Sequence, residues 1–233
     1  MRNRNARFAG WLYLLSVPLG IFTLRYIPDR LVVPNDAVAT AHAMATHPTL
    51  VRLAIAGDLL TGVFWLAVVL ALYELFRDVN RAMANLMVVL GALLQVPFYF
   101  FNSVNYAAAL LAATGANSFL SAFAEPQRDA IAMLFLKLHA YDVRASLLLA
   151  GLWLFPLGVL VYRCGFLPRT IGVWLIVNGV AWLAICFTGF VFPQYGEIVD
   201  KVTAPILFGE VVFALWLAIV GARTFGRAAR PAT

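Results

Sequence analysis

Charge is what this sequence has least of. Of its 233 residues only 12% are Asp, Glu, Lys or Arg, about half the share of an ordinary soluble domain, while 63% are hydrophobic. Too little polar surface remains to coat a globule, which excludes a water-soluble enzyme and a disordered regulator. Cysteine is nearly absent. Cys164 and Cys186 stand at the end of one apolar run and within the next, so neither a disulfide framework nor a Cys-x-x-Cys metal motif is available, and both read as small buried hydrophobes. Histidine is limited to His42, His47 and His139. The five-residue separation of the first two is not the i, i+4 spacing that places two ligands on one helical face. Hydrolytic triads and Gly-rich phosphate loops find no match either, so no metal, no cofactor and no nucleotide-driven pump is expected.

What is there instead is long apolar runs. A bilayer core about 30 Å thick needs about 20 apolar residues in a helix. Six stretches qualify: Phe8–Tyr26, Leu53–Phe76, Asn85–Ala113, Leu138–Tyr162, Ile171–Phe192 and Ala204–Phe225. They lack the alternation of transmembrane strands, and Pro18, Pro97 and Pro156 within them kink helices without forbidding them. The expected fold is therefore an all-α integral membrane protein, a six-transmembrane-helix bundle forming one domain over residues 1–233.

The net charge of +6 raises the question of nucleic acid. The basic residues sit mostly at the ends of apolar runs, leaving no basic face for a phosphate backbone, so nucleic-acid binding is excluded and the expected partner is the lipid bilayer. Arg2, Arg4, Arg7, Arg77, Arg81, Arg163, Arg169, Arg223, Arg227 and Arg230 all fall on one side of the predicted topology. The positive-inside rule then makes both termini cytoplasmic, in the cell's inner (plasma) membrane. The Arg-rich start before the first run also suits a signal peptide, but Arg25, Tyr26, Ile27, Pro28 and Asp29 follow it in place of a small-residue cleavage site, so it reads as a retained first helix. The outer segments Ile27–Arg52 and Thr114–Lys137 are the longer connections.

An ionised side chain at the bilayer centre costs roughly 3 kcal/mol on insertion scales, so each such group should face a partner, a cavity or the interface. Asp58 on the second span, Asp142 on the fourth and Glu210 on the sixth come near the start of helices that enter from the same, outer side. Asn102 and Asn105, three apart on one helical face, come late in the third span, which runs the other way. His139, Asp142 and Ser146 share one face of the fourth span, while Lys137 and Arg144 share another. Arg144 therefore reaches Asp58 or Glu210 on a neighbouring helix, or snorkels outward. Depth proposes an outward-opening cluster of Asp58, Asn102, Asn105, His139, Asp142, Arg144 and Glu210. Two readings stand side by side: a ligand site, or interhelical glue worth about 0.6 to 2 kcal/mol per group. For Asn102 and Asn105 taken separately, glue is favoured. Asn178 in the fifth span reads as isolated. Gly57-Asp58 followed by Trp65-Leu66-Ala67 has a weak echo in Gly209-Glu210 followed by Trp216-Leu217-Ala218.

Several segments together resemble a known family: Arg7-Phe8-Ala9-Gly10, Arg52-Leu53 with Gly57-Asp58, Leu138-His139-Ala140-Tyr141, Gly165-Phe166-Leu167-Pro168-Arg169 with Gly172, and Gly209-Glu210 before Leu215-Trp216-Leu217. They resemble a bacterial family of small multi-pass membrane proteins catalogued as a domain of unknown function. The resemblance implies an all-helical membrane fold and supplies no activity or catalytic residue. Three functions follow as expectations: binding or transport of a small polar ligand, ion or lipid headgroup through the outward cluster; an intramembrane enzyme acting on a lipid-like substrate with His139 and an acid; or a scaffold or accessory subunit. The first leads.

Overall fold

The computed structural model describes residues 2–115 and 118–223. Arg227, Arg230 and the expected end of the sixth span at Phe225 lie outside the described residues. Among the described residues there is no strand, and six helices are long and apolar enough to cross a membrane: α1 Arg2–Leu31, α3 Pro48–Phe76, α4 Arg81–Thr114, α5 Glu125–Arg163, α6 Arg169–Val191 and α7 Pro193–Val220. This is the makeup of a multi-pass membrane protein. A shorter helix, α2 Ala37–Thr46, lies between the first two.

The helices begin and end where local chemistry directs. Asn35 turns the chain at φ 61°, and Asp36 then caps α2 by accepting from the amide of Ala39 at 2.9 Å. Asn80 caps α4 in the same way through Met83 at 3.0 Å. Gly165, at φ +72°, ends the chain's run after α5, and Pro168 stands at the N-cap of α6. Several helices run further than the apolar runs. α5 starts at Glu125 rather than Leu138, and the segment expected to connect the first two spans is folded as the end of α1 and all of α2. The polar residues Glu125, Gln127, Arg128 and Asp129 interrupt the apolar pattern without breaking helix, because a helix leaving the bilayer no longer needs an apolar circumference.

The chain groups into two compact units, each discontinuous in sequence. α1, α3, α4 and α5 each contribute residues to both, so the units are not successive domains. One comprises Ser16–Phe64 and Val96–Ser146. Its core joins Ile27 and Leu31 of α1, Met44 of α2, Val51 and Ala54 of α3, Tyr106 and Ala109 of α4 and Leu136 of α5. Ala41, Ala112 and Ala132 pack beside it, pinning α2 against its neighbours.

The other comprises Trp65–Gln95 with the described parts of Met1–Leu15 and Leu147–Thr233. Lipid tails are as apolar as leucine, so helices here associate by close packing rather than by escape from water. Glycines set the α5–α6 contact. A Cβ on Gly158 would stand 2.7 Å from the Gly172 carbonyl, and one on Gly151 2.7 Å from that of Gly179. An aromatic group fills this unit's interior, with Trp153 edge-on to Trp65 at 5.0 Å and Tyr13 edge-on to Trp65 at 5.4 Å. The Trp65 indole donates to the Gly91 carbonyl at 2.8 Å.

Candidate functional site

In the first of these units α1, α3, α4 and α5 bring polar side chains together. α3 supplies Asp58, and the glycine before it lets α1 come close: a Cβ on Gly57 would fall 2.4 Å from the Thr23 methyl. α4 supplies Asn102, Asn105 and Tyr106, and α5 supplies His139 and Asp142. Asn102 donates to the main-chain carbonyl of His139 at 3.3 Å, and its own side-chain oxygen accepts from Asn105 at 2.9 Å. Asn102 thus ties α4 to α5, and Asn105 braces it from one turn away on α4. The rings of Tyr106 and His139 meet with centroids 4.1 Å apart. Asp58 lies within electrostatic reach of both Tyr106 and Asp142.

Three groups here are left without partners. Asp58 and His139 are 4% and 6% exposed. Among the described residues Asp58 Oδ2, His139 Nδ1 and Asp142 Oδ2 are buried and make no hydrogen bond. Such groups carry a desolvation cost of about 1–3 kcal/mol each unless a bound partner meets them. Beside them a cavity of about 470 Å³ is walled by Leu24, Pro28, Val32, Met133, Leu136 and Val143, with Tyr106 and His139 as its polar surface and Asp29 and Lys137 also lining it. That volume and mostly apolar lining suit a small organic ligand. Asp29 is paired with Arg25 at 3.0 Å in an exposed i, i+4 bridge, and Lys137 is exposed.

Two residues of the expected cluster stand apart. Arg144 is exposed and, among the described residues, joins no ion pair with Asp58 or Glu210. Glu210 belongs to the other unit. One of its carboxylate oxygens accepts from the Tyr13 hydroxyl, the other from the Trp182 indole at 2.7 Å. Gly209 before it receives the Trp174 ring, which a Cβ would meet at 2.7 Å, and that indole donates to the Ile206 carbonyl at 2.9 Å. Asn178 is not isolated: its amide donates to the Leu207 carbonyl at 3.2 Å, tying α6 to α7.

Sequence reasoning missed Tyr106, Tyr13 and Trp182. The signal was present, since a Tyr or Trp within a span needs a partner for its polar atom and Tyr106 follows Asn102 by one turn. Among the described residues no group of three or more His, Cys, Asp or Glu is gathered as a metal centre requires.

The family described as Domain of unknown function (DUF4386) matches residues 8–221. An "Uncharacterized protein" from Archaeoglobus fulgidus is 34% identical over 74 residues, 30% of this chain and 41% of that relative, so the match spans less than half of the relative's length. No solved structure matches the chain.

Proposed function

The chain belongs to that family of unknown function, and we propose that it binds or transports a small polar ligand or lipid headgroup at the Tyr106–His139 cavity. The observation that carries this reading is the conjunction of a cavity of about 470 Å³ with buried, unpartnered polar atoms on His139, Asp58 and Asp142. Asn102 and Glu210 serve as interhelical ties, and Asn105 braces Asn102. Ligand contact falls to His139, Asp142 and Asp58, with Tyr106 as the aromatic wall. In this reading both termini are cytoplasmic in the inner (plasma) membrane and the cavity opens to the outer side. Its support is the clustering of Arg2, Arg4, Arg7, Arg77, Arg81, Arg163 and Arg169 at one set of helix ends.

Native mass spectrometry of the full chain, purified from its own membrane in a mild detergent, tests the proposal. The parent is expected to carry an added small-molecule mass that is lost from His139→Ala and Asp142→Asn and kept by Glu197→Gln, a change in an exposed ion pair. A parent without such a mass, or variants that retain it in full, would overturn the reading.

A further inference from the structure

The chemistry of the unpartnered atoms says what the ligand carries. Asp58 Oδ2 and Asp142 Oδ2 are carboxylate oxygens and accept hydrogen bonds. The His139 ring has the main chain of Asn102 within reach. In the tautomer that carries its proton on Nε2, the unpartnered Nδ1 is a lone pair, a third acceptor. Of the donors nearby, one N–H of each asparagine is committed, and Tyr106, which carries a hydroxyl, lines the cavity. Asn102 Nδ2 is given to His139 O and Asn105 Nδ2 to Asn102 Oδ1. Of the cations, Arg25 is paired with Asp29, while Lys137 at the cavity's rim and Arg144 are exposed and, among the described residues, make no ion pair. The unpartnered buried atoms of the site are therefore acceptors, two of them on carboxyl groups.

A bare metal ion does not fit this pattern, because among the described residues no three such ligands converge as a metal centre demands. A protonated amine does. An ammonium group brings up to three donors and a positive charge, which match unpartnered acceptors on carboxyl groups. The Tyr106 ring beside His139 offers the aromatic face that organic cations favour. The remaining lining, Leu24, Pro28, Val32 and Met133 among it, is apolar and suits a hydrocarbon body.

We infer that the ligand of this cavity is an amine-bearing amphiphile, held by its ammonium group toward His139, Asp58 and Asp142 with its hydrocarbon part along the apolar wall. This rests on the binding reading above and adds the sign of the ligand's charge.

The test uses three probes of one chain length and different charge: octylammonium, octanoate and octanol. Each is titrated into the purified full chain in a neutral detergent, with thermal unfolding as the readout, since a ligand that binds only the folded state raises the midpoint in proportion to its affinity. Octylammonium is expected to raise the midpoint, and octanoate and octanol to leave it unchanged. Asp58→Asn and Asp142→Asn are each expected to weaken octylammonium by about tenfold or more, equivalent to about 1.4 kcal/mol, with Glu197→Gln unaffected. A midpoint raised by octanoate or octanol as much as by octylammonium overturns the charge assignment and leaves the binding reading standing. No shift with any probe overturns both. Equal octylammonium binding by parent and variants overturns the assignment of these carboxylates. Comparison of the three probes on the parent needs no variant to fold.

Discussion

Asp58 and Glu210 are introduced by the chain in the same way, each just after a glycine on a membrane-spanning helix and each followed by a Trp-Leu-Ala step. Their surroundings are opposite. Glu210 has a donor on each carboxylate oxygen, Tyr13 from α1 and Trp182 from α6, so one side chain ties three helices of its unit without a cation. Asp58 is buried, faces another carboxylate within electrostatic reach, and has an oxygen with no partner. A carboxyl group in a membrane becomes a structural tie when neutral donors close both its oxygens, and it is available for function when one is left open. The echo in sequence marks two positions where a helix tolerates an acid, and only the neighbours decide its use.

The largest expected difference comes from deleting each acid. Glu210→Ala removes the acceptor of both the Tyr13 hydroxyl and the Trp182 indole, orphaning the indole at about 1–3 kcal/mol, and leaves a void as well. Its midpoint in detergent unfolding should fall steeply. Asp58→Ala removes no hydrogen bond, so it should lose only packing, about 1 kcal/mol. Equal losses from the two would break the comparison.

The glycines before the acids should separate next. Gly209→Ala drives a methyl into the Trp174 ring, whose indole is fixed on the Ile206 carbonyl, and overpacking of a fixed neighbour costs about 1–3 kcal/mol. Gly57→Ala meets only the end of the Thr23 side chain, and rotation of that methyl should hold the loss below about 1 kcal/mol. Unfolding of the two alanine variants side by side checks the order.

Isosteric neutralisation sharpens the same contrast with a difference in sign. Glu210→Gln places an amide N–H₂ against one of two donors and should destabilise by about 1–2 kcal/mol. Asp58→Asn removes buried charge facing Asp142 and should leave the midpoint unchanged or raise it by up to about 1 kcal/mol. A lower midpoint for Asp58→Asn would mean that its carboxylate is structurally engaged after all.

The spans were legible because lipid imposes them: a helix that crosses must be apolar for about 20 residues, and that pattern is written in one dimension. The helix ends were less so. Glu125 to Leu136 continues α5 beyond the apolar run, and α2 hid in a segment read as connection, though Asp36 before Ala37 is a helix-start signal. The site was legible in half. Depth along each span grouped Asp58, Asn102, Asn105, His139 and Asp142, which one unit does hold. Depth says nothing of which way a helix face turns, and for that reason it also swept in Glu210 and Arg144. The i, i+3 spacing of Asn102 and Asn105 predicted their shared face, whereas the pairing of Tyr13 with Glu210, 197 positions apart, depends on packing that no local pattern encodes.

The smallest effect concerns orientation, which decides whether the Tyr106–His139 cavity opens outward, and it alters no stability. Cys164 lies between α5 and α6, half-buried, and its thiol donates to the Val161 carbonyl at 3.1 Å. Burial pushes this thiol above its ordinary pKa, and main-chain hydrogen bonds from Phe166 and Leu167 oppose that only in part. Because the thiolate is the reactive form, little of it is present at neutral pH and the reaction should quicken as pH rises toward the raised pKa. Cys186, buried in α6, should stay unreactive. In sealed inside-out vesicles a charged, impermeant maleimide should label Cys164 slowly near neutrality and faster under alkaline conditions, and in intact cells stripped of their outer layers it should not label it at all. Labelling from the outside instead would reverse the topology, placing the Tyr106–His139 cavity on the cytoplasmic side while leaving the contrast between Asp58 and Glu210 as it stands.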